Sequence, residues 1–159
     1  MPVESQRFRD ALSKFASGTT IVTVIQNDKP HGMTASSFAS ASLNPPLVIV
    51  CLDVQSRTRQ ILEETGYFGV NILAHDQEWM AREFAKPGDK PFDRLTHKPG
   101  PRGLPLIEDS IARLECRVVH MTNAGDHDVF VGDVLTAESN ELPPLIHYDR
   151  AYWPFEKPS

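Results

Sequence analysis

The sequence predicts a mainly β protein, an antiparallel barrel with helices at its periphery, and three observations carry that prediction. Short runs rich in β-branched and apolar residues recur along the chain, turn residues punctuate them at close intervals, and helical periodicity is confined to a few brief segments. A doubly wound parallel sheet would instead alternate its strands with long amphipathic helices.

Taken in order, Phe8, Ala11, Leu12, Phe15 and Ala16 recur at helical spacing, so residues 6–16 are expected to form an amphipathic helix that plugs one end of the core and stops before Gly18. Residues 19–25 are β-branched, and Gln26-Asn27-Asp28-Lys29-Pro30 is turn chemistry leading into a second strand, which makes a hairpin. Residues 47–52 are continuously apolar and bounded by Pro46 and Asp53, the pattern of a strand buried on both faces. Ser56 is placed to cap a short helix over residues 57–64, with Ile61 and Leu62 facing inward. Residues 67–73 form a further strand, and residues 77–85 a helix bearing Trp79, Met80 and Phe84. Residues 86–105 are crowded with Pro and Gly and exceed an ordinary connection, so a lid or interface loop is expected there. Two more strands, over 111–121 and 129–137, flank a turn at residues 122–128, and a short strand over 145–148 precedes a Pro-rich tail.

A length of 159 residues fits a single domain over 1–159, with its core at about 8–152 and short flexible ends. Sixteen basic against twenty-one acidic residues give a net charge of −5, which argues against a nucleic-acid surface or a polybasic membrane patch and favours a small soluble partner. Cys51 and Cys116 each sit in an apolar run, far apart, as expected of buried thiols in a cytoplasmic protein. The start of the chain lacks an apolar signal core, and no apolar stretch is long enough to span a bilayer.

Six histidines are present, but none pairs with another at metal-ligand spacing, so no metal site is expected; Asp126-His127-Asp128 reads as turn chemistry. No Gly-x-Ser-x-Gly elbow and no Gly-x-Gly-x-x-Gly fingerprint occurs, which disfavours hydrolysis and a Rossmann-type nucleotide site. Two segments remain. His31-Gly32-Met33-Thr34-Ala35-Ser36-Ser37-Phe38 sets small hydroxyl residues and accessible amides between strands, which suits a polar, planar or phosphorylated ligand. Asp53-Val54-Gln55-Ser56-Arg57-Thr58-Arg59 places a hydroxyl cap and guanidinium groups at a helix mouth, where Arg57 or Arg59 is available to a terminal phosphate. Each segment alone has an ordinary reading as a solvated turn or a capped surface helix.

The order of motifs is recognisable: Phe15-Ala16-Ser17-Gly18, Val22-Thr23, Gly32-Met33-Thr34-Ala35-Ser36-Ser37, Ser42 with Pro45-Pro46-Leu47, Ser56 with Thr58, Phe68-Gly69-Val70-Asn71, Phe84-Ala85, and Gly125-Asp126-His127. Together they resemble the flavin reductase-like family of flavin-binding split barrels, which includes reductase components of two-component flavin-dependent monooxygenases. The resemblance implies a homodimeric split Greek-key barrel that binds FMN or FAD, oxidises NADH or NADPH, and supplies reduced flavin to an oxygenase. By that match Met33, Thr34, Ala35, Ser36 and Ser37 line the isoalloxazine and ribityl chain, Cys51, Leu52 and Asp53 face its other side, and Ser56, Arg57 and Thr58 hold the phosphate. Phe84, Ala85 and Lys86 fall near the flavin, His127 is the catalytic candidate at the nicotinamide, and Tyr152 matches an aromatic position near the C-terminus. The chain departs from the pattern at Thr19, where an aliphatic residue is usual, and at Arg150, where glycine is common. Two alternatives stand beside the enzyme: a flavin-binding electron carrier or storage protein without reductase turnover, and an interaction barrel that binds no cofactor.

Overall fold

The structure is a computed structural model that describes residues 1–155 and 158–159. Its helices are α1 (Ser5–Leu12), α2 (Arg57–Thr65) and α3 (Glu78–Ala85). Its strands are β1 (Ser17–Gly18), β2 (Thr20–Gln26), β3 (Lys29–Ala35), β4 (Ala39–Ser42), β5 (Leu47–Asp53), β6 (Tyr67–Ile72), β7 (His97–Pro99), β8 (Pro105–Ile107), β9 (Ala112–Ala124), β10 (His127–Ser139), β11 (Leu145–Tyr148) and β12 (Ala151–Pro154).

The β-branched residues of β2 place it inside a seven-stranded antiparallel sheet of order β3-β2-β6-β9-β10-β5-β4. Asn27 and Asp28, both with positive φ, close the β2–β3 hairpin in the tight turn that its sequence predicts. No ladder joins β3 to β5 or β4; the chain itself crosses that gap, running from β3 through Ser36 to Phe38 into β4. This is the split in the barrel, and it bears out the predicted class. Val22, Val24, Val50, Leu52, Phe68 and Phe130 fill the interior, with Ile61 and Leu62 of α2 pointing in among them as their spacing predicts. A second cluster, Ile21, Leu73, Met80, Ala81, Phe84, Phe92 and Ile107, lies between the sheet and α3.

Three expectations are corrected. The first helix ends at Leu12 and buries none of its residues, so it plugs nothing; Phe8, Leu12 and Phe15 remain exposed. Its C-terminal end is held from outside, by the Lys14 ammonium on the Asp149 carboxylate at 2.7 Å and by the Asp149 amide donating to the Ser13 carbonyl at 2.9 Å. The apolar run of β5 is buried on one face: Val48, Val50 and Leu52 point inward, while Leu47, Ile49 and Cys51 are half-buried on the other. Residues 86–105 are not one loop. Past residue 91 they form a turn of 3-10 helix (Phe92–Arg94) and then β7, which pairs with β8 to make a hairpin against the sheet.

Polar rivets hold that hairpin. The buried Asn71 amide donates to the Ile21 carbonyl at 3.0 Å, its oxygen accepts from the Ile107 amide at 2.7 Å, and the Thr23 hydroxyl donates to the Pro105 carbonyl at 2.6 Å. β1, β4 and β12 are short strands that the sequence reading did not separate from their turns.

Asn71→Ala leaves the buried Ile107 amide and Ile21 carbonyl without their side-chain partner, so the expected loss of stability is about 2–3 kcal/mol. Urea unfolding with an unchanged m-value checks it; a loss below about 0.5 kcal/mol would remove Asn71 as a rivet.

Candidate functional site

At the seam of the barrel lies a cavity of about 720 Å³ with three walls. One is β3 from His31 to Thr34; the second is Asp53 and Gln55 with the first turn of α2; the third is Phe84 and Ala85 at the end of α3 with residues 86–90 beyond it. The structure thus brings together Met33, Thr34, Asp53, Ser56, Arg57, Thr58, Phe84, Ala85 and Lys86 from the sequence-derived set.

Gly32 is needed for the floor. A Cβ there would lie 2.9 Å from the Val22 carbonyl oxygen and 3.3 Å from the Phe84 ring, so only a bare backbone lets Phe84 pack against β3. The Thr34 hydroxyl donates to the Ala81 carbonyl at 2.6 Å, tying α3 to the same strand. Its hydroxyl proton is therefore spent on the fold.

Helix α2 supplies an anion cradle. Ser56 caps it as predicted, its Oγ accepting from the Arg59 amide at 3.1 Å, while the amides of Arg57 and Thr58 have no acceptor among the described residues. The two arginines, indistinguishable in sequence, have separate fates. Arg59 is committed to carboxylates, to Asp128 at 2.6 Å and Glu63 at 2.5 Å, and is not available to a phosphate. Arg57 donates only to neutral amide oxygens, Gln26 at 2.6 Å and Gln60 at 3.5 Å, and has no carboxylate partner among the described residues. Free amides, an uncompensated guanidinium and a slot of this size fit a flat ligand bearing a phosphate.

The other candidates lie outside the cavity lining. Ser36 and Ser37 are exposed, and the Ser37 hydroxyl bridges the split, donating to the Cys51 carbonyl at 2.7 Å and accepting from its amide at 3.2 Å. Ala35 and Leu52 are buried with their side chains in the barrel core, leaving only main chain to offer a ligand. His127 opens β10 directly opposite Asp53, its ring nitrogen Nδ1 2.7 Å from the Asp126 carboxylate. It is a strand residue, since the turn before it is only Gly125-Asp126, with Gly125 at φ 76°. Tyr152 lies across α3, 5.2 Å from the Arg82 guanidinium and 5.3 Å from the His147 ring.

Lining residues without an individual role in the sequence reading are His31, Gly32 and Gln55, all within the two segments it singled out, and the segment from Pro87 to Lys90. The Pro and Gly content of that segment was the available signal. Burial pushes the Lys90 ammonium below its ordinary value, and it donates to the Lys86 carbonyl, closing the loop on itself. Burial first, and the Arg57 charge second, lower the His31 imidazole below its ordinary value, against the opposing pull of Asp89. No group of three or more side chains suited to a metal ion occurs among the described residues, nor does any helix long and apolar enough to cross a membrane.

A family model described as a flavin reductase like domain matches residues 12–156. An FMN reductase (NADH) of Agrobacterium fabrum, SmoA, is 37% identical over 153 residues, covering 96% of this chain and 87% of that protein. The reductase component of a 4-nitrophenol 4-monooxygenase/4-nitrocatechol 2-monooxygenase of Rhodococcus opacus is 37% identical over 150 residues, 92% of this chain and 79% of that one. Among solved structures, the NADH:FAD oxidoreductase SgcE6 of Streptomyces globisporus, in complex with NAD and FAD fragments, superposes with a TM-score of 0.91 at 34% identity, covering 98% of this chain and 97% of that one.

The lowered His31 titration has a sign that can be tested. A base whose folded pKa is depressed favours the folded state when neutral, so its contribution is full above the ordinary histidine value of 6.5 and is lost as pH falls below it. NMR titration is expected to place His31 below 6.5 and to move it part of the way back in Arg57→Gln, since burial, the larger cause, persists. An unmoved titration would show that Arg57 does not act on it.

Proposed function

The chain belongs to the flavin reductase-like family, and from that premise we propose that it is an NAD(P)H:flavin oxidoreductase that reduces FMN or FAD and supplies the reduced flavin to an oxygenase component. The observation that carries the reading to this site is the cavity at the first turn of α2, where free amides and Arg57, which has no carboxylate partner among the described residues, meet a slot with an apolar floor. A flavin held there would supply the redox chemistry, as the acceptor of hydride from a nicotinamide nucleotide.

The chain's task is to bind and to align. Ser56, Arg57 and Thr58 hold the terminal phosphate, with Arg57 giving charge-assisted bonds that Arg59 cannot. Met33, Thr34 and the main chain of Ala35, Ser36 and Ser37 line one side of the ring, and the strand end from Cys51 to Asp53 the other, Leu52 by its main chain alone. Phe84, Ala85 and Lys86 form the floor and lip. His127, beside Asp53, orients the nicotinamide so that the reacting atoms come into contact. Tyr152 acts by packing on Arg82. NADH is the donor in the names of two of these relatives, and it is the donor proposed here.

We take residues 1–159 as one domain working in the cytoplasm as a homodimer. The uncovered Phe8 and Leu12 of α1, with Phe15 just beyond it, support the dimer, since exposed large side chains at one short helix and its exit are apolar surface for a second copy to cover.

Nicotinamide absorbance, followed with each nucleotide and with or without FMN or FAD, is expected to fall only when flavin is present; oxidation that ignores flavin, or none at all, would overturn the reading. Arg57→Ala is expected to weaken flavin binding by about tenfold or more, read by fluorescence quenching. His127→Ala is expected to raise the KM for NADH more than the flavin Kd. Sedimentation at micromolar concentration is expected to give the dimer mass, and the monomer mass would contradict it.

A further inference from the structure

We propose that Arg59 and Asp128 are positioning residues: together they form a guanidinium–carboxylate strut that sets the tip of the β9–β10 hairpin, and His127 with it, against the phosphate cradle of α2. The proposal rests on the reading of His127 given above.

The sheet explains why a strut is needed. Strand β5 ends at Asp53, whose partner is His127, the first residue of β10. Beyond that rung, among the described residues, the hairpin tip has no strand beside it on the β5 side, and the backbone link there is the Val54 amide donating to the Asp126 carbonyl at 3.0 Å. On the other side, β6 pairs with β9 as far as Arg117, with one further bond from the Val118 amide to the Gly66 carbonyl at 2.8 Å, so β9 from Val119 to Ala124 has β10 as its single ladder partner among the described residues. The tip is a ribbon at the corner of the sheet, and ribbons of this kind twist and fray.

Asp128 counters that freedom from the face opposite His127. Side chains alternate along β10, and Asp128 points inward with Phe130 while His127 points out. The Asp128 side chain is 3% exposed and that of Arg59 is 18% exposed. Both bonds from Arg59 reach one carboxylate oxygen, Nε at 2.6 Å and Nη2 at 2.6 Å; the other oxygen accepts from the Asn123 amide at 3.0 Å. That amide also reaches the Gly125 carbonyl at 3.3 Å, so the carboxylate grips the turn as well as the helix. Glu63 steadies the same guanidinium at 2.5 Å, and at its other end Arg59 is anchored by Ser56 Oγ on its own amide. A continuous chain of bonds therefore runs from the cap of the phosphate cradle to the residue next to His127. Asn123 first, and Arg59 after it, hold the Asp128 carboxyl below its ordinary value, so the strut is charged throughout the neutral range.

The test separates alignment from folding. In Asp128→Asn and in Arg59→Gln, the KM for NADH is expected to rise about tenfold, with kcat at saturating NADH changed by less than about twofold. The flavin Kd, read by fluorescence quenching, is expected to stay within about twofold, since Arg57 and the helix amides remain. Amide exchange at residues 124–127 is expected to quicken, a readout that needs no turnover. The double variant is expected to cost no more than either single one, because both remove the same strut. Asp128→Glu, which keeps the carboxylate, is expected to recover most of the NADH affinity; it and Arg59→Lys carry the comparison if the other variants do not fold. An unchanged KM for NADH in the Asp128 and Arg59 variants overturns the strut, as does a flavin Kd that worsens by the same factor. If His127→Ala measured alongside raises the KM while these variants do not, the strut alone fails. If His127→Ala leaves the KM unchanged, the reading of His127 fails and takes the strut with it.

Discussion

The unclosed seam between β3 and β5 is the constraint on which the rest of the structure depends. A closed barrel would satisfy both edges with backbone ladders and leave no slot between them. Here the chain crosses the gap in three residues, and a single hydroxyl, Ser37 Oγ, substitutes for a ladder rung by bonding both the carbonyl and the amide of Cys51. The seam is thus held at one point and open beside it. The start of α2 follows β5 directly and the end of α3 is tied to β3 through Thr34, so both helix termini arrive at the opening because the strands that lead to it place them there.

Charge follows the same division. The chain carries a net −5, yet a negatively charged nucleotide is to bind it, so attraction has to come from local rather than global field. Most cations near carboxylates are neutralised by them: Lys14 by Asp149, Arg82 by Glu78, Lys86 by Glu83, Arg117 by Asp133. Arg57, which faces the cavity, has no carboxylate partner among the described residues and is held in place by glutamine oxygens that orient its guanidinium without cancelling its charge. Steering by one such group at a helix N-terminus weakens little with salt once the ligand is in contact, because little solvent lies between them.

Local pattern in the sequence was enough for elements whose cause is local. The β2–β3 hairpin, the Ser56 cap and the inward face of α2 all follow from residues within a few positions of one another, and all are as predicted. The errors share a cause in distant partners. Helical spacing in residues 6–16 shows that a face is apolar, but not whether anything covers it. The β7–β8 hairpin looked like loop because its strands are three residues each and owe their place to Thr23 and Asn71, far upstream. Arg57 and Arg59 are equivalent until Asp128, 69 residues away from Arg59, takes one of them. The order of motifs located the cradle, and His31 stood in the segment already singled out for a ligand, whereas residues 87–90 entered the site through shape alone.

The floor of the site shows how far such distant partners reach. Phe84 lies on the bare backbone of Gly32, meets Phe92 edge to face at 5.1 Å, and Phe92 in turn meets the His97 ring at 5.2 Å. His97 begins β7, and β7 is fixed by its pairing with β8, whose Pro105 carbonyl and Ile107 amide are bonded by Thr23 and Asn71. A buried amide on β6 therefore helps to set the level of an apolar surface on the far side of β2. Rings in edge contact transmit displacement because a dense interior has no slack to absorb it. Precision at the cavity floor is then a property of the rivets beneath the hairpin as much as of the residues that touch the ligand.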